Sequence, residues 1–160
     1  MKYSNMREEE LKNKVAQDYF WIFDCTKIVG NVDFCVRMHQ SQPELFEQES
    51  HLWAEAKTGV SDVYNSIVQL ILTIGKACTF DHFLPPPMLG ALDGEKIAFI
   101  PYCEISEIFY LNDFNWNVTP SDYTTKEFKL THEKVKNIID QEALLFNFDK
   151  DDKELQKFIK

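Results

Sequence analysis

The order of patterns along this chain predicts an α/β fold, in which a mixed central sheet is flanked by helices. Two observations carry that prediction. Short β-branched and aromatic runs alternate with segments of helical period, and the run HLWAEAK is followed almost at once by an amphipathic helix. The chain has 160 residues, of which 44% are hydrophobic. That is enough for one domain with a core of its own.

Each element is predicted from its own periodicity. Leu11, Val15 and Tyr19 recur every four positions and predict a helix over 6–19, with Asn5 as its N-cap. Strands are predicted within 20–39, with a turn or bulge at Gly30-Asn31, and a loop or short acidic helix follows over 40–50. Next come a strand over 51–57 and a helix over 62–76 capped by Ser61. The last predicted elements are a strand over 96–102, a short helix over 104–111 and a final helix over 131–145.

The bulk composition narrows the class of protein. A net charge of −9 disfavours a stand-alone DNA-binding domain, because such domains bind phosphates through Lys and Arg. The polar N-terminus lacks the apolar core of a signal peptide, and the longest apolar stretch, 67–74, is too short to span a bilayer. The cysteines form no CxxC pair and are expected to be reduced thiols, not zinc ligands. We expect a cytoplasmic protein with no membrane association.

Three polar residues stand in or beside otherwise apolar strands. In HLWAEAK, Glu55 and Lys57 share one face of the strand, because side chains alternate along a strand, and small alanines occupy the other face. Asp33 lies in the upstream run NVDFCV, flanked by Val32 and Phe34. If the two strands are neighbours, Asp33 comes to lie beside Glu55.

This combination suits the hydrolysis of a phosphodiester. Two carboxylates bind Mg²⁺, for which Mn²⁺ substitutes, and the metal polarises the phosphate and activates water. A nearby lysine orients or deprotonates that water and offsets charge in the transition state. Asp24 is the rival of Asp33 as a metal ligand. The alternative is structural: Glu55 and Lys57 form an ion pair on an exposed strand, and Asp33 is an edge charge.

These segments also resemble a known family. GNVDF and LWAEAK, followed by SIVQLILTIGKA, resemble the N-terminal nuclease region of fused restriction–modification enzymes of type IIG, whose sites are of the PD-(D/E)xK kind. The later segments GALDGEKIAFIPY and NDFNWNVTPSD are similar to the region downstream of the nuclease core in those enzymes. The resemblance covers about residues 7–130. Val32 stands where the motif has Pro, a residue that only shapes the entry of the strand.

The resemblance implies a restriction-endonuclease-like sandwich over 1–130, with 131–160 as a helical extension or a linker to a following domain. It implies a Mg²⁺-dependent DNA endonuclease in which Asp33 and Glu55 are metal ligands and Lys57 is the catalytic lysine. The expected partner is double-stranded DNA, held mostly by additional domains. A methyltransferase domain of the same chain would lie outside these residues, because no NPPY motif occurs in them.

The resemblance alone implies two more candidate site residues. Gln69, on the helix after the lysine, is expected near the site as a catalytic residue, and Glu8 is expected to join the metal ligands. Their alternatives are a core amide bonded to backbone or water, and a solvated carboxylate favoured by the helix dipole. His51 is interpreted as a strand-entry residue. The competing function is a non-catalytic interaction or specificity module with the same fold.

Overall fold

A five-stranded mixed sheet forms the centre of the molecule in a computed structural model that describes residues 2–38 and 50–160. In spatial order the strands are β1 (Phe34–Arg37), β2 (Ser50–Ala56), β3 (Met88–Leu92), β4 (Lys96–Pro101) and β5 (Leu144–Asn147). The α-helices are α1 (Glu8–Tyr19), α2 (Val63–Lys76), α3 (Tyr102–Ile105), α4 (Lys126–Glu142) and α5 (Asp152–Ile159), with 3₁₀ turns at Thr79–Asp81 and Ser106–Tyr110. The β2–β3 pair is parallel and the other neighbours are antiparallel, which confirms the α/β fold with a mixed sheet.

Both faces of the sheet are covered. On one face, side chains of α2 and α4 pack with Trp53, Leu89 and Ile100 into one buried cluster. On the other face, α1 and α5 pack with Leu52 and Ile97 into a second cluster. Successive residues of a strand therefore enter different clusters, as the alternation of side chains requires. Since β2 is buried on both faces, a polar side chain in it needs a specific reason to be there.

Helix α2 connects the parallel strands β2 and β3, and its predicted position is confirmed to within one residue. The expected cap is wrong. Asp62, not Ser61, accepts the N–H of Asn65, at 3.1 Å. Ser61 lies one residue before the cap, and its N–H and hydroxyl both donate to Asp93. The tertiary contact has outweighed the local capping preference.

The strands predicted within 20–39 are only partly present among the described residues. Only Phe34–Arg37 forms a strand, and an isolated bridge joins Asp24 to Arg37. Phe20 is buried, but the next two residues, Trp21 and Ile22, are both exposed, so burial in this run does not alternate as it does along a half-buried strand. The turn at Gly30-Asn31 is confirmed: Gly30 has φ +53°, a conformation that favours glycine.

The first helix begins later than predicted. It starts at Glu8 with Arg7 as N-cap, and Arg7 makes no side-chain capping bond. Asn5, the predicted cap, lies outside the helix in a left-handed conformation with φ 59°. The inward residues Leu11, Val15 and Tyr19 are buried as their spacing predicts.

Residues 131–160 add more than helices. Helix α4 begins at Lys126, so residue 130 lies inside it, and β5 pairs with β4 as a strand that the sequence did not predict. Phe148 and Leu155 are fully buried with α1 in the second cluster. The final thirty residues thus share the sheet and both clusters with the rest of the chain.

Three smaller expectations concern cysteines, membranes and the loop before β2. The four cysteines are free, as expected. Within the described ranges, no helix has both the length and the apolarity needed to cross a membrane. The prediction for 40–50 falls almost wholly outside the described residues, apart from Ser50, which begins β2.

Candidate functional site at the ends of β1 and β2

Asp33 and Glu55 are brought together by the β1–β2 pairing. Phe34 is the register partner of Ala54, so the residues one step outward, Asp33 and Glu55, face each other across the pair. The carboxylate of Asp33 also accepts the backbone N–H of Ala56, at 3.1 Å. Directly opposed residues of an antiparallel pair place their side chains on one side. The predicted proximity of the two carboxyl groups is therefore present.

Glu55 is an acid held in an unfavourable place for its charge. It is 4% exposed. Burial raises the pKa of Glu55 to about 8, helped by the charge of Asp33 and by a hydrogen bond between the two carboxyl groups, while Lys57 opposes the rise. At neutral pH the pair consequently tends to keep one proton. A bound cation would offset the charge of the two carboxylates in place of that proton.

Lys57 follows β2 directly and lies at the rim of the site. Its backbone N–H donates to the carbonyl of Leu92 at 3.0 Å, which fixes the base of the side chain. Its ammonium Nζ lies 3.5 Å from Oε1 of Glu55, and 30% of its side chain is exposed. Lys57 thus reaches the buried acid and still faces solvent. A group that orients or deprotonates a water molecule has to reach both the acid and the solvent in this way.

Asp93, in the turn between β3 and β4, holds the loop after Lys57. Its carboxylate accepts the N–H and hydroxyl of Ser61, the N–H groups of Glu95 and Lys96, and the ammonium of Lys96 at 2.6 Å. Burial alone would raise the pKa of Asp93, but the hydrogen bonds from Lys96, Glu95 and Ser61 lower it below its usual value. A charge-assisted network of this kind fixes the backbone near Lys57.

Sequence reasoning missed this role of Asp93. The Asp-Gly dipeptide before KIAFIPY signalled only a turn. That the turn also anchors the loop after β2 depends on the parallel pairing of β2 with β3. A pairing of strands distant in sequence cannot be read from local patterns.

Glu8, in the first turn of α1, lies near Asp33. Burial raises the pKa of Glu8, and the charge of Asp33 adds to the rise. Its carboxylate Oε2 is 3.9 Å from the ammonium of Lys12. Glu8 thus belongs to the electrostatic surroundings of Asp33, and its role as a ligand stays a prediction.

Asp24 and His51 lie at the other end of the β1–β2 pair. Asp24 bridges to Arg37, the last residue of β1, whereas Asp33 precedes the first. Asp24 is therefore not grouped with Glu55, which removes it as the rival of Asp33. His51 is the extra residue of an irregularity in which Arg37 pairs with Ser50, and its ring packs on Phe23. It is a strand residue, as expected.

Gln69 is engaged by a different part of the chain. Its side-chain oxygen accepts the hydroxyl of Tyr123 at 2.8 Å, in the segment before α4. Within the described ranges, no hydrogen bond joins Gln69 to Asp33, Glu55 or Lys57. The structure gives Gln69 a structural partner, and its catalytic role stays a prediction.

The donor set suits a hard cation in part. Carboxylate oxygens are the ligands that Mg²⁺ prefers, and sites with one or two carboxylates plus water and phosphate are common. Burial and the neighbouring Asp33 raise the pKa of Glu55 in spite of Lys57, so the charge of the two acids is only partly offset. Over residues 2–38 and 50–160, however, no three His, Cys, Asp or Glu side chains form a group that could hold a metal. The fit therefore rests on the Asp33–Glu55 pair.

Comparison with known proteins adds no relative. No protein-family model, no curated protein and no solved structure matches the chain.

Proposed function

We propose that this chain is a Mg²⁺-dependent DNA endonuclease module of a restriction–modification protein, which hydrolyses phosphodiester bonds at the site formed by Asp33, Glu55 and Lys57. The observation that carries the proposal is the contact between the Asp33 and Glu55 carboxyl groups with the Lys57 ammonium 3.5 Å from Glu55. Two acids and one lysine converge at one end of the β1–β2 pair. The proposal requires that this sheet and its helices form a restriction-endonuclease-like sandwich.

Each residue has a distinct part in the proposed reaction. Bound Mg²⁺ supplies Lewis acidity toward the scissile phosphate and a more acidic water. Asp33 and Glu55 would hold the cation, with Glu55 ionised. Lys57 orients the attacking water and stabilises the charge that develops on the phosphate oxygens. The duplex itself is held mainly by further domains, because a net charge of −9 repels it.

A cleavage assay with Asp33→Asn tests the proposal. Asparagine keeps an acceptor for the N–H of Ala56, so the strand end is retained while the charge is lost. We expect the wild type to nick and linearise plasmid DNA in Mg²⁺ or Mn²⁺ and not in chelator. Asp33→Asn should lose on the order of 10²-fold or more, whereas the matched change at the exposed Asp81, Asp81→Asn, should have no effect. Equal cleavage by both variants would place the activity elsewhere.

A second candidate function is a non-catalytic interaction module that uses its acidic surface to bind a protein. The net charge of −9 is the observation that favours it. Calorimetry with Mg²⁺ separates the two candidates. An interaction module has no reason to bind the cation at Glu55, so binding that Glu55→Gln abolishes supports the nuclease.

A further inference from the structure

A groove leads along α1 to Asp33. It lies between α1 and the segment 25–35 and has a volume of about 460 Å³. Lys12 lines it from the helix, and Lys27 and Ile28 line it from the opposite segment. Volumes of this order hold small organic ligands. A sugar–phosphate unit of a nucleic acid strand fits within the same range.

The segment that borders the groove exposes one cation and one apolar side chain. Lys27 is exposed and, within the described ranges, makes no hydrogen bond or ion pair. Its neighbour Ile28 is 80% exposed, although it is a large aliphatic residue. The other lysine of the groove, Lys12, is already bound to Glu9, 2.6 Å from Oε1. Lys27 is therefore the groove's available cation.

The balance of charge in the groove is acidic. Lys12 and Lys27 contribute two positive charges, while Glu8, Glu9 and Asp33 contribute three carboxylates. A phosphate is repelled by this balance in the absence of a further cation. A divalent ion at the Asp33–Glu55 pair cancels this excess, because it adds two positive charges and displaces at most one proton from Glu55.

We propose that this groove is the path of the substrate strand, in which Lys27 binds a phosphate next to the scissile one and Ile28 contacts the adjoining sugar and base. The proposal rests on the proposed function for the position of the scissile phosphate. Binding is ordered by charge: the cation occupies the Asp33–Glu55 pair first, and the strand binds second. By linkage, the cation and the strand each tighten the binding of the other by the same factor.

The test measures binding without cleavage. A short fluorescein-labelled DNA duplex is titrated with the Lys57→Ala protein, in which hydrolysis is expected to be about 10²-fold slower. Anisotropy is followed at several salt concentrations with Mg²⁺ or with chelator. The variants added to this background are Lys27→Gln, Lys27→Arg, Ile28→Ser and Lys136→Gln. Lys136 is an exposed lysine of α4, across the sheet from the groove. Its change matches the loss of charge at Lys27.

We expect Mg²⁺ to tighten binding about tenfold or more, within the usual range of coupling. Lys27→Gln should reduce the slope of log affinity against log salt by about 0.9, the value for one lost phosphate contact. Lys27→Arg should keep that slope, and Ile28→Ser should weaken binding several-fold with the slope unchanged. Lys136→Gln should match the background protein. The proposal for the groove is overturned if Lys27→Gln leaves the salt slope unchanged, or if the affinity for the duplex is the same in chelator as in Mg²⁺.

Failure of the groove is distinguishable from failure of the proposed function. If the wild type cuts DNA and Lys27→Gln, made in the wild type, cuts it with an unchanged kcat/KM, the function stands and the groove is overturned. If Mg²⁺-dependent binding responds to Lys27 while the wild type cuts nothing, the groove stands and the nuclease is overturned. The absence of both Mg²⁺-dependent binding and cleavage overturns both, because the proposed contacts of Lys27 and of the Asp33–Glu55 pair are made by this chain and not by the further domains.

Discussion

At the scale of single residues, Glu55 is the acid of the site whose charged form is disfavoured by burial. Burial and Asp33 raise the pKa of Glu55 to about 8, from an ordinary value of 4.5 in water. The folded chain therefore binds a proton that the unfolded chain releases, at every pH between those two values. The associated stability is fully present below about pH 4.5 and is lost as pH rises toward about 8.

The first prediction concerns the free energy of unfolding of Glu55→Gln. Glutamine carries no charge, so it removes the energetic penalty that ionised Glu55 imposes at high pH. We expect the variant to be more stable than the wild type at about pH 8.5, with the difference shrinking toward about pH 5. Urea midpoints at the two pH values provide the measurement. Glu142→Gln, at an exposed position of α4, is the control. A difference that does not depend on pH would contradict the assigned pKa.

The second prediction concerns Mg²⁺ affinity. Because the cation needs ionised Glu55, its binding displaces the shared proton. Affinity should rise from about pH 6.5 to about pH 8.5, and up to one proton should be released for each ion bound. Calorimetry in buffers of different ionisation enthalpy measures that release. Binding without proton release throughout this range would show that the ion sits away from Glu55.

At the scale of elements, α2 contains Gly75, a residue type that usually destabilises a helix but that leaves room here for Trp116. A Cβ on Gly75 would overlap the ring of Trp116, which packs on the helix at that point. Alanine in a helix is usually favoured over glycine by about 1 kcal/mol. The steric overlap with Trp116 is expected to outweigh that gain, because overpacking costs about 1–3 kcal/mol.

The third prediction concerns the pair Gly75 and Trp116. Gly75→Ala should lower the free energy of unfolding, and Trp116→Leu in the same chain should recover most of the loss. Chemical denaturation of the two single variants and the double variant completes the cycle. Additive effects of the two changes would mean that Trp116 is not the cause.

The same scale shows what sequence patterns can and cannot predict. Helix α2 and strand β4 were predicted because their periodicity and their burial coincide. The neighbouring placement of Asp33 and Glu55 was predicted from two apolar strands that each carry one acid. Strand β5 was missed, because its exposed leucines form a strand only by pairing with β4. The network of Asp93 was missed because it joins segments that are distant in sequence.

At the scale of the whole molecule, the C-terminal segment completes the fold. Val135 and Ile139 of α4 belong to one buried cluster, and Phe148 and Leu155 belong to the other. Removal of these side chains would expose apolar surface on both faces of the sheet. Each fully buried large side chain contributes about 1.5–3 kcal/mol by burial alone, and a domain has only about 5–15 kcal/mol of net stability.

The fourth prediction is that a chain ending at Leu130 does not fold. The truncation cuts α4 and removes β5 and α5. We expect the loss of a cooperative thermal transition, measured by circular dichroism, and poor dispersion of amide resonances. A cooperative transition close to that of the full chain would show that residues 131–160 are an independent extension.

The site itself exists only at this largest scale. Asp33 precedes β1, Glu55 lies near the end of β2 with Lys57 just after that strand, and Asp93 lies in the turn after β3. Strand pairing brings all four to one side of the molecule. The proposed reaction depends on that convergence, and Lys57 is its most separable member because it is not a ligand of the cation.

The most direct measurement is the rate of DNA cleavage by Lys57→Ala in saturating Mg²⁺. We expect a loss of about 10²-fold or more, the scale of a lost acid–base or electrostatic group. Stability should stay within about 1 kcal/mol of the wild type, and Mg²⁺ affinity should be retained. Cleavage at the wild-type rate would contradict the proposed catalytic role, and Lys57 would then be only the ion-pair partner of Glu55.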